Sequence, residues 1–313
     1  MGSPLTSSEG ALAPGDLRIA PRRRRRERTI RLLFIAAAAF SIAVSAAIVL
    51  SLIGNALTFF IQVDKAALVA EGWFPRRGMY DIRTILVGTL LIAGIAMLVA
   101  APLGLGAGIY LSEYASTRSR RILKPVVEVL ASIPSVVLGF FALTWLSPNI
   151  VQPLTGAPLS NMLVAGLAVG ILITPLVASI SEDALHAVPM YLREAAYGLG
   201  ARKRTTSLAV VVPAAVSGIV AALLLAFSRA IGETMIVAIV AGGTGGSLLQ
   251  LNPLEQGQTM TAAMTALAIG SDRVRGSELT FESLFFVGML LFAMTLALNI
   301  ASETFVRRVR RRY

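Results

Sequence analysis

Two charged residues four apart, Arg229 and Glu233, interrupt an apolar run that extends from Ala214 to Ala241. At the middle of a bilayer a charged side chain costs about 2.5–3.5 kcal/mol on insertion scales, so both must face protein or water. Four residues is one helical turn, which predicts that guanidinium and carboxylate share a face. Two uses of the pair stand open. It can be a buried ion pair that locks neighbouring helices together. Alternatively, the planar fork of Arg229 offers paired donors to phosphate-like oxygens, and Glu233 limits the depth of that attraction so that an anion can leave again.

Other chemistry is sparse. Cysteine is absent, which excludes a disulfide framework, a thiolate metal site and a cysteine nucleophile, and His186 is the single histidine. His186 is expected to be a solvated loop residue. There is no G-x-x-x-x-G-K-[ST] phosphate loop; Gly242-Gly243-Thr244-Gly245-Gly246 lacks the lysine. No G-x-S-x-G, H-E-x-x-H or triad is present, so the chain is expected to hold neither a catalytic centre nor a metal, and any ATP must be hydrolysed by another subunit.

The elements that position these residues are membrane spans. The chain has 313 residues, 56% of them hydrophobic and only 14% charged, which is not the composition of a soluble protein. One crossing takes about 20 apolar residues. Six runs qualify, at about 30–61, 82–111, 125–146, 162–180, 214–241 and 279–302. Six crossings leave both termini on one side, and 21 of the 28 Lys and Arg fall in the segments on that side, six on the other, and Arg229 within a span. By the positive-inside rule the termini are cytoplasmic. The net charge of +11 therefore reads as topology rather than as nucleic-acid binding.

Residues 1–28, rich in Ser, Pro and Gly and ending in the run Arg22 to Arg26, read as a disordered cytoplasmic tail, and 29–313 as the membrane domain. The run after the tail is far too long for a signal-peptide core. Residues 182–213 form a cytoplasmic loop of helical composition. The outer segment 242–277 contains a shorter apolar stretch, 258–270, expected as a re-entrant or interfacial helix. Gly104 and Gly108, and Gly166 and Gly170, have the small-residue spacing of tight helix packing. Pro134 and Pro175 are expected to kink their helices. Glu128 is expected to be held at the interface by Lys124, one turn earlier.

The cytoplasmic loop reads Glu194-Ala195-Ala196, three residues, Gly200, nine residues, then Val210, any residue, Val212-Pro213. This resembles the EAA loop of ABC-importer permeases, with valines in place of Ile and Leu. Small residues beside Glu194 make a flat face that a groove in another protein could accept, and a glycine allows the φ > 0 turn between two helices. The plainer alternative is a solvated helical hairpin whose acid pairs with Arg193 or Arg202.

A second likeness is more specific. The stretch Ser228 to Val237 contains Arg229-Ala230-Ile231-Gly232-Glu233-Thr234-Met235 and resembles the R-A-[IL]-G-E-T-M signature of the membrane subunits of phosphate ABC importers. Ile133 to Val137, Pro102 to Gly106, Leu111 to Tyr114 and Thr259 to Ala262 extend the likeness over roughly 80–310, and Met235-Ile236-Val237 resembles the PstC type rather than PstA. The likeness implies an all-α, six-helix, type I (MetI-like) permease bundle with a cytoplasmic coupling-helix loop. It implies a pathway carrying phosphate past Arg229, Glu233 and Thr234, and ATPase coupling through Glu194, Ala195, Ala196, Gly200 and Pro213. The implied partners are a PstA-like permease, two copies of a PstB-like ATPase that hydrolyses ATP with Mg, and an external PstS-like phosphate-binding protein. The chain itself is then no enzyme and holds no cofactor. Two other functions stand beside this one: import of another oxyanion (molybdate, sulfate or phosphonate), and a non-transporting scaffold or sensor. The arginine-rich tail and the loop 62–81 match no motif.

Overall fold

The computed structural model describes residues 21–69, 71–243, 245–269 and 279–310. Two units divide the chain, Met1–Ser51 and Leu52–Tyr313. In the first, the described residues are the beginning of helix α1, Pro21–Gln62. The segment Pro21 to Arg28, expected in the tail, is therefore helical; arginine has good helix propensity, and a long apolar helix propagates into it at little cost. The rest of the expected tail lies outside the described residues.

In the second unit the long helices are α2 (Ile82–Ile109), α5 (Met162–His186) and α10 (Thr280–Arg310). Between α2 and α5 lie α3 (Thr117–Ala131) and α4 (Ser135–Phe141), the latter continued by a wide π-type coil to Val151 and a last turn to Thr155. After α5 come α6 (Met190–Gly198), α7 (Val216–Ile231), α8 (Met235–Val240) and α9 (Met260–Ile269). Among the described residues, five helices are long and apolar enough to cross a membrane, or six if the bent pair Lys203–Ala214 and Val216–Ile231 counts as one.

Helices α2 and α5 run parallel at the centre, and their glycines explain how closely. A Cβ on Gly104 would stand 2.6 Å from Val177 Cβ, and one on Gly166 2.6 Å from Ile95 Cβ. On Gly170 it would be 2.9 Å from the Ala96 carbonyl. Without a hydrophobic drive between helices in lipid, such backbone approach is what holds them. Ile92, Ala96 and Ala100 of α2, Val169 and Ile173 of α5, and Ile231 and Ile236 beyond them form one buried core.

The loop with no motif folds. Strands β1 (Trp73–Phe74) and β2 (Met79–Tyr80) pair across a turn closed by Gly78 at φ 72°, and Trp73 exchanges two backbone hydrogen bonds with Ser247. Tyr80 packs edge-on against Phe59. Asp81 follows as the cap of α2: its Oδ1 accepts from the Arg83 N–H and its Oδ2 from the Thr84 hydroxyl.

Three spans differ from expectation. The third is not continuous from 125: α3 ends at Ala131, because proline disfavours the helical region for the residue before it, and Pro134, expected as a kink, instead caps α4 in extended backbone. The apolar crossing is Ser135–Thr155. The fourth runs on to His186, so the expected loop residue Glu182 lies inside α5. The fifth is broken, with a 69° bend at Ala215 and a second interruption at Gly232–Thr234. Pro175, by contrast, sits within a continuous α5.

Candidate functional site

The interruption after Ile231 is built by its own sequence. Gly232 has low helix propensity, and the side chain of Glu233 turns back to take the next backbone donors. Its Oε1 accepts from Met235 N at 3.0 Å and from Ile236 N at 3.3 Å, satisfying two N–H groups at the start of α8. The expected Arg229–Glu233 pair is therefore not formed. Arg229 is exposed in the last turn of α7, where the helix dipole already favours a cation, and makes no ion pair or hydrogen bond among the described residues. Thr234 donates its hydroxyl to the Gly232 carbonyl at 3.2 Å.

Other segments converge on this break. The Thr261 hydroxyl donates to the Glu233 carbonyl at 2.7 Å, and Met260 N donates to Thr89 Oγ1 at 2.9 Å, which ties the outer helix α9 to both α8 and α2. From the other side α4 packs on α8 so closely that a Cβ on Gly139 would lie 3.3 Å from Ile236 Cα. The three stretches around Gly139, Glu233 and Thr261 thus meet, although the first is distant in the chain from the others. In the sequence Thr261 belongs only to the likeness; no periodicity points to its contact with the break.

At the opposite end of the α2–α5 pair lies the loop. Pro189 caps α6, Glu194 and Ala195 are exposed, and Ala196 is buried. Gly200 has φ 79°, the left-handed value that favours glycine. Its N–H bonds to Tyr197 O and that of Ala201 to Ala196 O, the paired bonds of a Schellman ending. Pro213 lies in the turn Val212–Ala214 just before the 69° bend. Leu199 is 91% exposed, with Met190 and Tyr191 also largely exposed, so the loop presents an apolar surface. Glu194 makes no ion pair or hydrogen bond among the described residues; Arg193 turns inward to Glu113.

The acid that does form a network is Glu182. It is fully buried, paired with Arg120 and, at 2.7 Å, with Lys124, which also reaches Asp183 at 3.2 Å. Glu128 is thus not held by Lys124 as expected, because a buried carboxylate left unpaired costs far more than a solvated i, i+4 contact is worth, and Lys124 goes to Glu182. The hydrogen bond to Glu182 holds the Lys124 ammonium above the ordinary lysine range, against the opposing effect of burial. His186 is exposed at the end of α5, 3.4 Å from Arg120.

Comparison with known proteins follows the same lines. Residues 100–312 match the family of binding-protein-dependent transport system inner membrane components. The chain is 31% identical over 270 residues to the probable ABC transporter permease protein YqgH of Bacillus subtilis, covering 85% of this chain and 86% of that one. It is 30% identical to the phosphate transport system permease protein PstC of Haemophilus influenzae, covering 84% and 88%. Among solved structures, a bacterial ABC transporter for import of the acidic polysaccharide alginate superposes with a TM-score of 0.63 at 15% identity, over 92% of this chain and 99% of that one. The MetNI methionine ABC transporter superposes with a TM-score of 0.55 at 20% identity, over 71% and 93%. At these identities the structural likeness speaks for the fold alone.

Proposed function

We propose a function from the premise that this chain belongs to the family of binding-protein-dependent transport system inner membrane components. It is a membrane-spanning permease subunit of an ABC importer and not itself an enzyme. Its cargo is inorganic phosphate, passed from an external PstS-like binding protein to the cytoplasm. It pairs with a PstA-like permease and two PstB-like ATPase subunits, and both its termini are cytoplasmic. Phosphate passes the break between α7 and α8. Arg229 attracts the anion there, and Thr234 and the polar backbone around it line the way.

The observation that carries this proposal is the free guanidinium. Glu233 serves the start of α8, so the charge of Arg229 is not neutralised within the described chain and remains available to an anion. In an ion-pair lock the two would be bonded. Relatives about 30% identical that bear the name PstC support phosphate as the anion. The exposed face of α6 around Glu194, ended by Gly200, is the surface offered to the ATPase, whose closure on ATP tilts the bent helices and opens the path alternately to each side.

The test is Arg229→Gln in the assembled transporter. Phosphate uptake into vesicles should be lost while the permeases and ATPase still copurify. Unchanged uptake would remove Arg229 from the pathway. Competition by molybdate, sulfate or phosphonate at concentrations matching phosphate would transfer the assignment to another oxyanion.

A further inference from the structure

Arg193 and Glu194 are neighbours on α6, and consecutive residues of a helix point about 100° apart. Glu194 faces out. Arg193 faces the membrane-spanning helices, and its fork is fully occupied. Nη2 lies 2.8 Å from Glu113 Oε1 and also donates to the Leu185 carbonyl at 2.9 Å, while Nη1 donates to the Val188 carbonyl at 2.6 Å. Glu113 Oε1 accepts in addition from the Ser112 hydroxyl at 3.1 Å. The two charged side chains are only 11% and 4% exposed.

Glu113 lies in the π-type turn Tyr110–Tyr114 that ends α2, while Leu185 and Val188 bracket the end of α5. One guanidinium therefore bonds the start of α6 to the ends of both central helices, at the end of the molecule where the loop lies. A buried fork with three fixed acceptors has little freedom to absorb a displacement, so a push on α6 must move α2 or break the pair. The EAA pattern does not include Glu113, which lies 80 residues upstream of Arg193.

We propose that the Glu113–Arg193 pair is the link through which movement of α6 reaches α2, converting ATPase closure into displacement of the α2–α5 core. This rests on α6 being the ATPase-docking element, with Glu194 on the docking face and Arg193 as a positioning residue behind it.

The experiment reconstitutes the full transporter in vesicles and measures three quantities: copurification of the ATPase, ATP hydrolysis, and phosphate imported per ATP hydrolysed. Glu113→Gln and Arg193→Gln should retain the ATPase and its hydrolysis while import per ATP falls by at least about fivefold, the lower end of ordinary coupling factors. Arg193→Lys, which keeps the charge but loses the fork, should fall between them and the unaltered protein. Import per ATP unchanged in Glu113→Gln would overturn the proposal. So would loss of the ATPase from all three variants, because the pair would then be holding the docking surface rather than relaying its motion. Changing Glu194 and Gly200 together tests the docking assignment separately: an ATPase bound and coupled as before would refute that assignment whatever the result at Glu113.

Discussion

Glu233 closes the first turn of α8 onto Met235, with carboxylate oxygen and amide nitrogen 3.0 Å apart, and this capping bond accounts for the acid without any cation. A cap needs an acceptor, whereas an ion pair needs a charge. Glu233→Gln keeps an oxygen in place and should cost little stability, while Glu233→Ala leaves two N–H groups unpaired and should cost about 1 kcal/mol, as loss of a helix cap generally does. Thermal unfolding of the purified transporter distinguishes the two. Equal losses for Gln and Ala would mean that the charge, and so a cation, matters after all.

The glycines of α2 make a sharper contrast. Gly104 faces α5, where an added Cβ would come 2.6 Å from Val177 Cβ and 2.9 Å from the Thr174 carbonyl. Gly106, two residues on, has nothing within 4 Å. Gly104→Ala should therefore destabilise the helix pair by about 1–3 kcal/mol, the usual penalty of overpacking, and Gly106→Ala should be neutral or better. Yield of monodisperse protein after heating reads both. Similar losses at the two positions would place the close approach elsewhere.

What the sequence made legible is what depends on local pattern. Apolar runs located the spans because lipid leaves the backbone few other choices, and the spacing from Glu194 to Pro213 located the loop because its turn needs a glycine in the left-handed region. What stayed hidden depends on partners distant in the chain. Arg229 and Glu233 looked paired because one turn of an unbroken helix would pair them; only the break, set by the side chain of Glu233 itself, separates their roles. Lys124 looked paired with Glu128 because nothing local reveals that Glu182, 58 residues away, is buried and requires a cation. The Glu113–Arg193 pair spans 80 residues and has no periodic signal at all.

Gly200 and Gly198 separate conformation from space. Neither has an atom within 4 Å of an added Cβ, but only Gly200 has a positive φ, at 79°. Gly200→Ala should cost about 1–2 kcal/mol in the loop through the left-handed backbone alone. Gly198→Ala, in the last turn of α6, should stabilise the helix by up to about 1 kcal/mol. Hydrogen exchange of the α6 amides measures both directions, and protection lowered by both changes would contradict the assignment of the turn to Gly200.

Asp81 sets an acid limit on stability. Burial opposes its ionised form, but the hydrogen bonds from Arg83 and Thr84 and the charge of Arg83 outweigh it, and the carboxyl is held below the ordinary aspartate value of 3.8. A group depressed in the folded state adds stability above its unfolded value and loses that contribution as pH falls through the folded one. Lys124 has the opposite sign. Held above the ordinary 10.5 by Glu182, its contribution is complete below that value and fades only at more alkaline pH. Between these limits neither group makes stability depend on pH. Unfolding of the purified protein should thus be insensitive to Asp81 chemistry near neutrality and steepen below about pH 3.8, and Asp81→Asn should flatten that acid limb while lowering the neutral plateau by about 1 kcal/mol. An acid limb equally steep in Asp81→Asn would assign it to other carboxylates.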